Sequence, residues 1–102
     1  MTHKVVFRRR AEARLTELYD YIARQSSATI AIEYIRRIRI SCMALADFPE
    51  RGTRRDDIFP GLRTIGFERR VTIAFRVLKT RVEIVSIAYG GRDFERELRG
   101  RS

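Results

Sequence analysis

The apolar positions fall into two periods. "HKVVF" (His3 to Phe7) is short and β-branched, which predicts a first strand. Ala11, Leu15, Leu18, Tyr19 and Ile22 then recur at helical spacing and form one stripe, with Glu17 and Asp20 off it. "RQSSAT" breaks that pattern, and Ser26 or Ser27 is placed to cap the next helix by accepting a bond from a free backbone N–H. A longer helix follows, over roughly Ala28 to Asp47. Its core face is marked by Ala31, Tyr34, Ile35, Ile38, Cys42 and Leu45. Ile32, Ile40 and Met43 lie on a different face, beside Arg36 and Arg39. A helix laid on one sheet needs a single stripe, and this one has nearly two. The extra residues either tuck under a loop or form a docking surface for another chain.

Pro49 ends that helix, because the residue before a proline is pushed out of helical geometry. The period then changes to two. "FPERGTRRDDIFPG" reads as a loop, "LRTIGF" (Leu62 to Phe67) as a strand, and "RVTIAFRV" (Arg70 to Val77) as another. "LKT" makes a tight turn into a third, "RVEIVSIAY" (Arg81 to Tyr89). Simple alternation along it places Val82, Ile84, Ser86 and Ala88 on one face, and Glu83, Val85, Ile87 and Tyr89 on the other. Its middle, Ile84 to Ile87, is mostly apolar on both sides, as suits a central strand. Asp93 to Arg99 can close the chain as a short helix, with Asp93 as its N-cap. The expected fold is α+β, in the order β-α-α-β-β-β: a helical hairpin on one face of a small, mostly antiparallel sheet. The other face has too little chain to cover it. It is there that Arg63, Arg76 and Arg92 are expected to act.

Composition narrows the class. The chain has 102 residues and reads as one domain, 1–102. No run of 18 apolar residues exists, so no helix spans a membrane. The N-terminal stretch has no long apolar segment, which argues against a secretory signal. One cysteine, Cys42, and one histidine, His3, leave no internal disulfide, no metal cluster and no cofactor motif in view, and a reducing cytoplasm is the expected setting. The net charge is +9; of the 22 basic residues only Lys4 and Lys79 are lysines. The excess is +4 over residues 1–51 and +5 over 52–102, so it belongs to the folded body rather than to a tail. Such a body calls for an acidic partner.

Three segments together resemble the ParE side of the ParE/RelE toxin superfamily. "AEARLTELYDYI" is similar to its first helix, "LADFPERGTRRDDIFPGLRTIGFERRVTIAFRV" to its central core, and "VEIVSIAYGGRD" to its last strand. Their order and spacing cover nearly the whole chain. The resemblance implies a toxin of a type II toxin–antitoxin system, held in a hetero-oligomeric complex by a ParD-like antitoxin whose acidic, disordered half folds on binding. ParE toxins of this kind typically poison DNA gyrase, whereas RelE relatives cut messenger RNA on the ribosome.

Metal-free RNA cleavage needs an acid, a base and cations for the phosphate. Against the RelE pattern, Arg92 matches the loop arginine after the last strand. Arg63 and Ile65 fall near the lysine pair, Thr72 falls at the third-strand arginine and Leu98 near the C-terminal tyrosine. Two cations survive and no acid/base residue does; arginine is a poor base because it stays protonated. The resemblance therefore implies a binding toxin. Arg63, Tyr89, Arg92 and Arg96 are the expected target-binding residues, being cations and an aromatic of the kind that dominate interface hot spots. Ile32, Arg36, Ile40 and Met43 are the expected antitoxin-binding residues. A RelE-like endonuclease and a non-toxic, antitoxin-binding relic are the alternatives; a free basic nucleic-acid binder is disfavoured by the scattered arginines and the lack of interleaved aromatics on the sheet.

Overall fold

The computed structural model describes residues 3–90 together with Leu98 and Arg99. The chain enters on strand β1 (Lys4–Phe7) and turns into helix α1 (Arg9–Gln25). It then reverses into helix α2 (Ala28–Met43), which tightens into a 3₁₀ turn over Ala44–Ala46. Strands β2 (Thr53–Arg54), β3 (Leu62–Phe67), β4 (Val71–Val77) and β5 (Arg81–Tyr89) follow. The sheet order is β1-β5-β4-β3-β2, antiparallel throughout except where β1 lies parallel to β5. The expected order of elements holds. The one addition is β2, two residues paired to β3 at the edge of the sheet.

The helical hairpin is built from local signals. Ser27 is the cap of α2: its hydroxyl accepts from the Ile30 N–H at 3.1 Å. Ser27→Ala is expected to cost about 1 kcal/mol of stability, read as a lower urea midpoint at unchanged slope. Arg39 clamps the two helices with a forked contact to Glu12 at 2.7 and 3.2 Å, and its guanidinium lies 5.1 Å from the centre of the Phe7 ring. Beneath the hairpin, Ala11, Leu15 and Leu18 of α1 and Ile38 and Cys42 of α2 meet Ile73 and Phe75 of β4 and Val82, Ile84 and Ile87 of β5. Burial pushes the Cys42 thiol up to about 12, with Arg39 countering only in part, so this cysteine is an inert core residue.

The faces of β5 differ from simple alternation. Ala74 pairs with Ser86 while Phe75 pairs with Ile84, so Val85 is an extra residue in a bulge. The bulge resets the alternation by one position. Val82 and Ile84 therefore share the helix side with Ile87 and Tyr89, whereas Val85 joins Leu62 and Ala74 on the opposite face. That opposite face is partly covered: Ile58, Leu62, Ala74, Val85 and Leu98 form a second apolar cluster against it.

The "RRDD" loop is held by its own charges. Asp56 accepts from the Gly61 N–H at 2.8 Å and from Arg54, while Asp57 accepts from Arg55 at 2.8 and 2.9 Å and from Arg99 at 3.1 Å. Gly52, at φ +84°, lies so close to the Thr64 carbonyl that a side chain there would clash, which lets the loop press on β3. The hydrogen bond from Arg55 is the main reason that the Asp57 carboxyl is lowered to about 2. A carboxyl that releases its proton more readily in the fold stabilises it above the unfolded value, near ~4, and that contribution is lost as pH falls towards the folded one. The thermal midpoint should therefore fall on acidification from about pH 4 to about pH 2, and Asp57→Asn should flatten that fall.

Candidate functional site

The outer face of α2 leaves several large apolar side chains open to solvent. Ile32, Ile40 and Met43 are 54, 58 and 51% exposed, although helix burial normally hides such side chains. Their spacing, with Arg36, places all four on one stripe. Arg36 sits among them and pairs with Glu33 at 2.9 Å, with both side chains half open to solvent. Of the two readings left open by the sequence, no loop among the described residues covers this stripe. Phe48, 70% exposed just beyond the 3₁₀ turn, is a further large exposed apolar side chain. Sequence reasoning passed it over as part of a loop, although an aromatic directly before Pro49 was the available signal.

Tyr89 ends β5 on the helix side rather than on the open face. Its ring centre lies 5.8 Å from that of Tyr21 on α1 and 6.4 Å from that of Tyr34 on α2, and Tyr34 in turn meets Phe67 edge-on at 5.6 Å. Arg37 caps this aromatic group, 5.3 Å from the Tyr34 ring centre, and its guanidinium also reaches both carboxylate oxygens of Glu68 in the β3–β4 turn. Partial burial, with Tyr89 adding to it, raises the Tyr34 phenol above its usual range. One edge of Tyr89 stays in reach of solvent, where with Tyr21, Arg14 and Arg70 it lines a cleft of about 480 Å³.

Arg63 departs from its expected place. It is paired with Phe75, and therefore faces the helix side of the sheet, whereas Arg76, paired with Leu62, faces the opposite side. Strand alternation separates the two cations that were expected to act together. The "RRDD" carboxylates are taken by Arg54, Arg55 and Arg99, and Arg63 makes a long contact to the Arg51 carbonyl at 3.5 Å. Tyr89 shares its face of the sheet, but stands level with Phe67, four residues along β3 from Arg63 and roughly 13 Å away along the strand direction. Arg92 and Arg96, and the N-cap expected at Asp93, lie outside the described residues. Ile65, at one of the positions where the RelE pattern has lysine, packs against the helix-side core, and Leu98, where it has tyrosine, is buried in the second cluster.

Among the described residues no group of three or more metal-ligating side chains comes together, and no helix is long and apolar enough to cross a membrane. Comparison with known proteins adds the following. Residues 5–94 match the family model described as the ParE toxin of type II toxin-antitoxin system, parDE. No curated protein matches the chain in sequence. Among solved structures, a chain of the chromosomal ParDE TA system from P. aeruginosa is 24% identical, with a TM-score of 0.77 over 87% of this chain and 97% of that one. A mutant of E. coli toxin RelE in the free state is 14% identical, with a TM-score of 0.65 over 99% of this chain and 97% of that one.

Proposed function

The chain belongs to the ParE toxin family of type II toxin–antitoxin systems, and from that premise we propose that it acts in the cytoplasm by binding DNA gyrase, and is silenced by an acidic ParD-like antitoxin laid along α2. The observation that carries the antitoxin half is the exposed stripe Ile32–Arg36–Ile40–Met43. An amphipathic helix fits such a stripe: three apolar anchors bury area, and Arg36 receives a carboxylate. The +9 body speeds capture of an acidic partner.

Binding rather than cleavage is supported by what stands at the positions of the RelE pattern. Leu98 is a core residue, Ile65 points to the helices, and Arg63 and Arg76 are on opposite faces. Tyr34, made a weaker acid by its surroundings, is poorly suited to donate a proton. On this reading Tyr89 launches the segment that carries Arg92 and Arg96 to the target, with Arg63 contributing from β3.

Induced expression without antitoxin tests the reading, with new DNA and new protein pulse-labelled in parallel. An early fall in DNA synthesis, followed by inhibition of purified gyrase, is the expected result. An early fall in protein synthesis would replace it with RelE-like cleavage of messenger RNA. A culture in which neither falls would mark an antitoxin-binding relic.

A further inference from the structure

Two of the large exposed apolar side chains lie off the α2 stripe. Tyr21 and Ile30 are 46 and 53% exposed. Ile30, Tyr34 and Arg37 follow one another at helical spacing, on a line about a third of a turn round α2 from Ile32 and Arg36. A helix laid along the stripe leaves that line uncovered. Tyr21 packs on Tyr89, and Tyr89 on Tyr34, so the two exposed side chains flank one aromatic group. Beside Tyr21 and Tyr89 lies the cleft of about 480 Å³. Leu18 and Ile87 give it an apolar wall, and Arg14, Glu17 and Arg70 are among its polar groups.

The β3–β4 turn at the same end of the molecule breaks a local rule. Its two central residues, Glu68 and Arg69, have φ of +48° and +63°, in the left-handed region that Asn and Gly normally fill in such a turn. The turn closes where the Arg70 N–H donates to the Phe67 carbonyl at 3.2 Å. Arg37 donates to both carboxylate oxygens of Glu68, at 3.2 Å each, and the same guanidinium lies over the Tyr34 ring. The Arg70 carbonyl accepts from the Gly90 N–H at 2.7 Å, and its exposed side chain lines the cleft. A left-handed Glu costs free energy that Asn or Gly would avoid. Here that cost keeps a carboxylate where Arg37 can hold the tip against α2. A sequence that breaks a local rule in this way is often serving a site.

We propose that this end of the toxin docks its target, and that the docked element is an acidic protein segment with an apolar anchor. The anchor enters the cleft against Tyr21 and Tyr89, and a carboxylate beside it meets Arg70. Glu17 and Glu68 are already held by Arg14 and Arg37, so Arg70 on the rim is the cation that receives it. Tyrosine and arginine around an apolar pocket are the make-up of interface hot spots. A phosphodiester strand suits the site less well, because Glu17 lines the cleft and Glu68 stands at the tip beside it. A second copy of the chain brings the same cations and is repelled. Arg37 and Glu68 are positioning residues, which fix the tip that carries Arg70. The inference rests on the reading of the chain as a target-binding toxin, and extends the surface expected from Tyr89, Arg92 and Arg96 onto α1 and the β3–β4 turn.

The test is inhibition of gyrase supercoiling by purified full-length variants, with antitoxin calorimetry and melting temperature alongside. Tyr21→Ala and Arg70→Gln should each weaken inhibition about tenfold or more, and change antitoxin affinity less than about twofold. Lys79→Gln, in the β4–β5 turn, removes the same charge elsewhere and should shift inhibition less than about twofold. Glu68→Gly and Arg69→Gly both relieve the left-handed turn, and both should keep the parent's melting temperature within a few degrees. Only Glu68→Gly releases Arg37, and only it should weaken inhibition, by about fivefold, because a loosened tip must be ordered again on binding. The two acting alike would overturn the positioning role of Glu68. A parent that leaves gyrase untouched removes the gyrase reading and this proposal with it. A parent that inhibits, with Tyr21→Ala and Arg70→Gln inhibiting equally well, overturns the proposal alone. It is also overturned if those variants lose antitoxin to the same degree, which makes antitoxin the occupant, or if Lys79→Gln loses as much as Arg70→Gln, which reduces the effect to net charge.

Discussion

Ile40→Glu is expected to weaken antitoxin capture by about a hundredfold while leaving the toxin folded. Ile40 is more than half exposed near the middle of the α2 stripe, with Arg36 one turn before it and Met43 one turn after. In the free toxin the substitution removes little buried surface, so stability should change by less than about 1 kcal/mol. In the complex it removes an apolar anchor and sets a carboxylate against an acidic partner. Central anchors of that kind are worth ~2 kcal/mol or more, and a like-charge contact adds to the loss; each 1.4 kcal/mol is tenfold in affinity. Titration calorimetry of the purified toxin with its cognate antitoxin reads the effect directly. An unchanged Kd would remove this stripe from the antitoxin interface. Arg36→Gln should act differently, mainly slowing association at low salt, because an exposed charge steers more than it holds.

Phe75→Ala is expected to destabilise the free toxin by about 3–5 kcal/mol. Phe75 is fully buried at the centre of β4, between the sheet and the helical hairpin, and heads the large side chains of the core. A domain of this size holds only about 5–15 kcal/mol in all, so one cavity takes a large share of it. The melting temperature should fall by more than about 12 °C, at about 4–8 °C per kcal/mol. A partner that recognises the folded toxin stabilises it by mass action, so saturating antitoxin should restore part of the loss. Urea titrations of the free toxin and of the complex separate the two terms. A loss below about 1 kcal/mol for the free toxin would mean that the core around Phe75 collapses to fill the space.

The helical half of the fold was legible because its signals are local. The stripe Ala11–Leu15–Leu18 and the face Ala31–Ile38–Cys42–Leu45 follow the turn of a helix, and Ser27 caps the helix that it precedes. The exposed stripe on α2 was visible for the same reason: Ile32, Ile40 and Met43 are apolar residues left over once the core face is full. The target side was less legible. Arg63 and Arg76 were expected together on the open face, yet Arg63 points to the helix side, away from Arg76, where Tyr89 packs among aromatics.

By itself, then, the sequence determined the two helices, the three long strands, the basic charge and the family, all carried by neighbours within a few positions of one another. Only the tertiary structure decided which side chains share a face. The bulge at Val85 is silent in a stretch that is apolar on both sides, and it exchanges the faces of half of β5. The parallel pairing of β1 with β5 joins residues nearly eighty positions apart. Through β5 it brings the arginines that follow β1 to the same cleft as Arg76. A one-residue slip in a strand reverses every later side chain, and no local pattern records it.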